Sequence, residues 1–355
     1  MKRRIVHCGT GNTGKAALKG ILHHPDLELV GWYVWSADKV GMDAGEICGE
    51  ELTGIKASND LDAMLALNAD CLSFFGDAIG RVEECIELCC KFLERGTNVA
   101  TFSAFELAHP PSAPKHLKDP VEAACARGNS SLFFSGIDPG WATTDLAIAA
   151  LAAADRVDCV RVLELGWWGD YTAEFVCREY FGFGQPKGFE PLLIKGGFLQ
   201  TSWEPTLRHI ADVLGVEIDG WETVYETDSL DHDVEVGFGT VKAGTAAVVR
   251  FELRAMSQGK PIAICEHVDG VAHGAGKQWK WPYGPFACVH RIEIEGDPVI
   301  SLELGSPTKG VSAGLRCAMP VVNAIPDLCQ AKPGILGPLD LPRYWTKNVP
   351  AARRG

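Results

Sequence analysis

Six residues near the amino terminus restrict what this chain can fold into more than any other stretch. Arg4 to Cys8 is a short β-branched run, and it ends in Gly9-Thr10-Gly11-Asn12-Thr13-Gly14. A helical pattern follows, with Ala17, Leu18, Ile21 and Leu22 at three- and four-residue spacing. GxGxxG alone is a weak signal, because glycine turns are common. Between a strand and a helix, however, each glycine has a task. The first makes the tight turn, the second lets backbone approach a pyrophosphate, and the third lets helix pack closely on strand. The anion then rests on free N–H groups at the positive end of the helix. The spacing predicts a dinucleotide-binding loop formed by Gly9, Thr10, Gly11, Asn12, Thr13 and Gly14, against the blander reading of a bare turn.

The rest of the first third fits that unit. His24-Pro25-Asp26 stops the helix, and Leu27 to Trp35 alternates as a second strand. Asp60 to Leu67 reads as a helix and Cys71 to Phe75 as a buried strand. Val82, Cys85, Ile86, Cys89 and Leu93 mark another helix, and Asn98 to Phe102 and Leu132 to Ser135 two further strands. Alternating strands and helices imply an α/β fold, a doubly wound parallel sheet of the Rossmann type. After Gly136-Ile137-Asp138-Pro139-Gly140 the pattern changes. A helix from about Thr144 to Ala153 leads into long strands at Val160 to Trp168, Thr245 to Met256, Pro261 to Asp269, Val289 to Glu295 and Val299 to Leu304. Ser257-Gln258-Gly259-Lys260 reads as a hairpin loop between two of them. The expected organisation is a Rossmann domain over 1–137 and an α+β substrate and dimerisation domain over 138–305 with an open, mainly antiparallel sheet. A tail over 306–355, starting near Pro307 and helical with interruptions at Pro320 and Pro326, is expected to return to the first domain.

Composition narrows function. With 46% hydrophobic and 22% charged residues the chain can bury a sizeable core, which excludes disorder over most of its length. Lys and Arg total 33 against 46 Asp and Glu, a net charge of −13. Such a surface repels phosphate backbones and anionic membranes, so no nucleic-acid or membrane partner is expected. The thirteen cysteines are odd in number and have no paired CxxC spacing; Cys85, Cys89 and Cys90 read as core thiols. A reduced, cytoplasmic compartment follows. Only Ile5-Val6 follows the basic Met1-Lys2-Arg3-Arg4, which is no signal peptide, and Leu146 to Ala154 is too short to span a bilayer. No metal-binding constellation and no GxSxG elbow stand out; Asp231-His232-Asp233 offers too few ligands, and His267 and His290 read as structural histidines on strands.

Two positions refine the cofactor and the chemistry. An acidic residue at the tip of the second strand would grip the ribose of NAD. Here Ser36 holds that position and Lys39 follows, which favours NADP(H), with NAD(H) as the competing cofactor through Asp38. The strand ending at Phe102 delivers Ser103-Ala104-Phe105-Glu106-Leu107 to the sheet edge where ligands of such folds bind. Glu106, between Phe105 and Leu107, is a candidate acid or base whose pKa an apolar setting would raise. The alternative is a capping box, Ser103-x-x-Glu106, closing a helix turn. Trp141, Trp167, Trp168, Tyr171 and Phe175 cluster after the domain switch, as a pocket wall or as ordinary interface packing.

These segments together resemble a known family. Gly9-Thr10-Gly11-Asn12-Thr13-Gly14, Ser36 with Lys39-Val40-Gly41-Met42-Asp43-Ala44-Gly45, and Phe105-Glu106-Leu107 come in a recognisable order. They are followed by Pro139-Gly140-Trp141, Val322-Asn323-Ala324-Ile325-Pro326 and Ala331-Lys332-Pro333-Gly334. The chain resembles, nearly end to end, the 2,4-diaminopentanoate dehydrogenase-like group, which includes the native amine dehydrogenases of actinobacteria and other bacteria and is related in fold to dihydrodipicolinate reductase. It lacks the paired histidines of the true reductases; only His109 stands near. The resemblance implies reductive amination of a ketone or aldehyde with ammonia using NAD(P)H, and the reverse deamination. It makes Glu106 the catalytic residue and Trp141, Trp168, Tyr171, Phe175 and Ile325 the substrate pocket, in a homodimer. No Arg or Lys is clearly placed for a substrate carboxylate, Lys277, Lys280 and Arg291 being the ones sequence cannot locate, so small uncharged carbonyl compounds are favoured. The competing readings are an amino-acid dehydrogenase of the diaminopentanoate type and a non-catalytic NADP(H)-binding sensor.

Overall fold

The computed structural model describes residues 1–78, 80–306 and 313–350. Pro307, where the C-terminal segment was expected to begin, lies outside them. The chain divides into two compact units. One contains Met1–Trp141 and the C-terminal segment; the other begins at Ala142.

The first unit is built on a seven-stranded sheet. β1 (Arg3–Cys8), β2 (Leu27–Tyr33), β3 (Ala57–Ser58), β4 (Cys71–Phe74), β5 (Asn98–Thr101) and β6 (Ser131–Phe134) are joined by a short C-terminal strand, Gly334–Leu336. Its order is Gly334–Leu336, β6, β5, β4, β1, β2, β3, and every pair is parallel. Strand order therefore reverses between β1 and β4, the place where the carboxyl ends of such a sheet open a crevice for ligands. Strand residues such as Ile5, Val6, Leu72, Val99, Ala100, Leu132 and Phe133 have no exposed surface, as strands covered on both faces require. On one face the helix Asn12–His23 buries Ala17, Leu18 and Ile21, one stripe at helical spacing. The helix Ala313–Leu328 lies against it, with the Met319 side chain over Gly20. The helices Val82–Leu93 and Lys115–Gly128 carry the other face.

The second unit holds a six-stranded sheet of β7 (Arg156–Trp167), β8 (Gly220–Ser229), β11 (Ala246–Ser257), β12 (Lys260–Gly270), β13 (Cys288–Asp297) and β14 (Ile300–Gly305), while β9 (Val234–Val236) and β10 (Gly239–Val241) pair separately. The order is β14, β13, β7, β12, β11, β8, antiparallel except between β7 and β12. Gln258 and Gly259, both at positive φ, make the β11–β12 hairpin. The helix Phe198–Leu214 buries Leu199, Trp203, Leu207 and Ile210 on one face of this sheet. The opposite face carries a lattice of charges, with Glu252 accepting from Arg161 (2.6 Å), Arg254 (2.5 Å) and Arg250, and Glu266 from Arg161 (2.6 Å) and Arg250 (2.6 Å).

One expectation about the C-terminal segment is corrected. The helix Ala313–Leu328 runs through Pro320 and Pro326 without interruption. Each proline removes one ladder hydrogen bond, but Ala318, Val321, Val322, Ala324, Ile325 and Leu328 are all fully buried, and that apolar stripe holds the helix together. The same balance explains two helices that sequence punctuation hides, Lys115–Gly128 with Pro120 inside it and Phe198–Leu214 with Pro205.

Candidate functional site

The glycine loop leaves β1 at the point where the sheet order reverses. Gly9 has φ +137, and a Cβ there would sit 2.7 Å from the Phe75 carbonyl oxygen. A Cβ on Gly14 would come 2.7 Å from the Gly9 carbonyl carbon, so helix and turn touch only because both are glycine. Gly11 is different: nothing lies within 4 Å of the position its Cβ would take. It stands at the N-cap of the helix Asn12–His23 with no side-chain cap. The turn thus presents bare backbone and uncapped N–H groups to open space, a cradle that fits a pyrophosphate. Gly314 in the returning helix comes near the same loop, its Cβ position 3.1 Å from the Asn12 backbone. Beneath the loop, His7 is fully buried, with Nε2 3.1 Å from the Gly9 carbonyl and Nδ1 3.2 Å from Ser73 Oγ. Burial lowers its pKa to about 4, so it is a neutral strut for the turn.

Lys39 is brought to the loop. Its Nζ donates to Thr10 Oγ1 at 2.7 Å, which places an ammonium beside the glycines although 29 residues separate the two in sequence. Ser36 precedes the short turn Ala37–Lys39 and is exposed, as is Asp38. The structure adds a cation that the sequence reading did not pick out. Arg81 lies over the Trp35 ring, 5.4 Å from its centroid, and forms an ion pair with Glu84 at 2.7 Å. Trp35 in turn packs edge-on against Tyr33 and Phe74. No spacing motif links residue 35 to residue 81; they meet beyond the sheet edge, where Trp35, past the end of β2, packs on Phe74 at the end of β4.

Glu106 lies beyond the end of β5, two strands from β1 on the same edge of the sheet. It occupies the short turn Phe105–Leu107, whose N-cap is Ala104 with no side-chain cap bond, and the Ser103 N–H donates to Thr101 Oγ1 at 2.9 Å. The capping-box alternative is therefore not built. Glu106 Oε2 is shut off from solvent with no hydrogen-bond partner among the described residues. Burial, with a smaller push from Glu83, raises the carboxyl above its ordinary pKa. A carboxyl so placed gains by holding a proton or a cationic ligand. His109 is committed elsewhere, bonding Ser112 Oγ at 2.7 Å and capping the turn Pro110–Ser112.

The aromatic residues divide between the units. In the first, Trp141 closes the turn after β6, its N–H donating to the Gly136 carbonyl at 2.8 Å, and is partly buried. Ile325 is fully buried in the apolar core with Ala100 and Phe133, and core packing accounts for it. In the second, Trp168 donates Nε1–H to Asp269 Oδ1 at 3.0 Å and contacts Tyr171 and Phe181, with ring centroids 5.0 Å and 4.8 Å apart. Tyr171 and Phe175 are 44% and 64% exposed, a large apolar surface for a folded domain to leave open. Trp167 belongs to the other sheet face, stacked on Trp281 at 4.2 Å. The cations left open by sequence are now located. Arg291 is buried and bonded to Glu303 (2.6 Å) and to the Trp281 carbonyl (2.6 Å), Lys280 pairs with Glu293, and Lys277 is exposed.

No protein-family model matches the chain. Its sequence is 31% identical over 341 residues to an amine dehydrogenase of Streptomyces virginiae, covering 94% of both chains. The fold is similar to that of an amine dehydrogenase from Mycobacterium smegmatis, with a TM-score of 0.74, 20% identity and 98% of each chain covered. It is also similar to a dihydrodipicolinate reductase from Paenisporosarcina sp. TG-14, with a TM-score of 0.50, 14% identity, and 96% and 99% of the two chains covered.

Proposed function

The chain belongs to the amine dehydrogenase family, and from that premise we propose that it catalyses NAD(P)H-dependent reductive amination of small uncharged ketones and aldehydes with ammonia, and the reverse oxidative deamination. The observation that carries this reading is Glu106, a carboxyl with a shielded, unpartnered oxygen on the sheet edge that also bears the glycine loop. When bound, the nicotinamide cofactor supplies the hydride. Gly9 to Gly14 hold its pyrophosphate on backbone N–H groups, and Ser36 and Lys39 receive a ribose phosphate.

Glu106 does the proton work. Ionised, it binds ammonium and takes one of its protons, leaving ammonia to attack the substrate carbonyl. Protonated, it passes that proton to the carbinolamine hydroxyl so that water leaves. Ionised again, it stabilises the iminium cation electrostatically. Trp141, Trp168, Tyr171 and Phe175 are proposed to contact the apolar part of the substrate; Ile325 supports the fold beneath. The pairing of Arg291 with Glu303 and of Lys280 with Glu293 favours an uncharged substrate over an amino acid, since neither cation is left for a carboxylate. We further propose a homodimer in a reducing, cytoplasmic compartment. Among the described residues the cysteines are all free, which supports the compartment. Among the described residues no helix is long and apolar enough to cross a membrane.

The direct test follows NADPH oxidation with cyclohexanone in the presence and absence of concentrated ammonium at mildly alkaline pH. Ammonium-dependent oxidation is expected. Oxidation that needs no ammonium would make the protein a carbonyl reductase, and tight NADPH binding without turnover across a carbonyl panel would make it a sensor.

Two further results are expected. Lys39→Ala raises KM for NADPH about 10-fold or more, the loss of one charge-assisted bond, while KM for NADH moves less than about 2-fold. Equal changes for both cofactors would remove Lys39 from phosphate recognition. For pH, burial raises Glu106 above the ordinary glutamate range, and the step it opens requires the carboxylate. The amination rate at saturating ammonium therefore rises with pH along a limb whose midpoint lies above that range. A limb at the ordinary glutamate value, or one unchanged in Glu106→Gln, would contradict the role.

A further inference from the structure

The second unit contains a buried polar group of residues that the amination chemistry does not use. The strand register aligns His267 on β12 with Glu164 on β7, and Glu164 with His290 on β13, so all three project from one face in a single row. Asp269 follows His267 by two residues and so shares that face. This is the face covered by the helix Phe198–Leu214: Trp203 packs on the His267 ring, with centroids 4.8 Å apart. His267 and His290 are 4% and 3% exposed, and Asp269 has no exposed surface.

We propose that Glu164, His267 and Asp269 form a binding site for a divalent metal ion with oxygen and nitrogen ligands. Ligand atoms of the three lie within 4.8 Å of one another, and His267 Nδ1 is 3.8 Å from Asp269 Oδ2. Ligands of one tetrahedral ion stand about 3.4 Å apart, so small side-chain rotations close the set. Asp269 Oδ2 is buried with no hydrogen-bond partner among the described residues.

The surroundings orient these donors as the partners of a metal site do. His290 Nε2 lies 3.0 Å from Glu164 Oε2, and Trp168 donates Nε1–H to Asp269 Oδ1 at 3.0 Å. In each carboxylate one oxygen is thereby held, and in Asp269 the other is buried without a hydrogen-bond partner among the described residues, the arrangement that fixes ligand direction in metalloproteins. The donor set, two carboxylates and one imidazole, suits Mn²⁺, Fe²⁺ or Zn²⁺ more than a thiol-seeking ion. Three protein ligands leave coordination positions that water fills. This inference stands on the cluster's geometry and is independent of the amine chemistry.

The test uses the full-length protein stripped with EDTA and titrated with Mn²⁺ alone, which avoids the cysteines, reading free Mn²⁺ by electron paramagnetic resonance and stability by thermal unfolding. Roughly one Mn²⁺ per chain is expected, with a rise in Tm. Asp269→Asn keeps an acceptor for Trp168 and loses the charge; it is expected to weaken binding by more than about 10-fold. His290→Gln, which touches a ligand without being one, is expected to weaken it by about 10- to 100-fold. The two variants are scored separately, so misfolding of one leaves the other to decide. Failure of the stripped wild-type protein to take up Mn²⁺, with Tm unchanged, would overturn the proposal, as would uptake that survives both substitutions.

Discussion

Glu106→Gln is expected to abolish reductive amination, lowering kcat by about 100- to 10,000-fold, while affinity for NADPH stays within a few-fold. Glutamine matches glutamate in shape but cannot take a proton from ammonium or return one to the carbinolamine. It also cannot balance the charge of an iminium. The loss would not come from misfolding, because the linkage runs the other way. Burial raises the folded pKa of Glu106 above its unfolded value. Its contribution to stability is therefore present below the unfolded pKa and is lost as pH rises through the folded pKa. Glutamine is neutral throughout and escapes that loss, so the variant should melt at the wild-type temperature or above it at neutral pH. Turnover within a few-fold of wild type would remove Glu106 from the chemistry.

The largest effect on stability is expected from Glu252→Ala. Glu252 has no exposed surface and accepts from Arg161, Arg250 and Arg254, while Glu266 shares Arg161 and Arg250. Removing it leaves Arg161 and Arg250 to share Glu266, with Glu226 at the rim beside Arg250, and leaves Arg254 with Glu222 alone. Breaking a buried ion network in this way costs about 3–5 kcal/mol, which corresponds to a fall in Tm of roughly 10 °C for a unit of this size. Burial alone would raise the Glu252 carboxyl, but the three arginines outweigh it and hold the group below its ordinary value. That stability is present above the unfolded pKa and is lost as pH falls through the folded one. The gap between variant and wild type should therefore narrow in acid. A cost below about 1 kcal/mol at neutral pH, the size typical of surface pairs, would mean that the lattice contributes little.

How much of this was legible in the sequence depends on how locally each feature is encoded. β1 and the helix Asn12–His23 could be read because glycine spacing and apolar periodicity lie within twenty residues. β2, β4, β5 and β6 of the first sheet and β7, β11, β12, β13 and β14 of the second could be read because their runs are bounded by turn residues, whereas β3 and the strand Gly334–Leu336 were not read. Helices with internal prolines were obscured, since Pro120, Pro205, Pro320 and Pro326 are local stop signals that burial of a whole apolar stripe overrides. β8 went unread for a different reason: it is an edge strand, with Glu222, Glu226 and Asp228 interleaved among its apolar residues.

At the site, Glu106 was identifiable as a carboxylate at a sheet edge, but its two readings separated only when the turn Phe105–Leu107 proved to have Ala104 as its cap. Lys39 was a loop lysine until its ammonium was found against Thr10. Arg81 over Trp35 is a relation between two strand ends with no linear signature. Glu164 stands about a hundred residues before His267 and Asp269 and meets them only through strand register, so scanning for spaced metal ligands could not find the set.

The most direct test of the central claim follows the nitrogen. Cyclohexanone, NADPH and isotopically labelled ammonium are incubated with the wild-type protein and with Glu106→Gln, and the product amine is measured by mass spectrometry against NADPH consumed. The account predicts labelled cyclohexylamine in equal amount to the NADPH oxidised by the wild-type protein, and a trace from the variant. Cyclohexanol in place of the amine, or amine formed equally by both proteins, would contradict it.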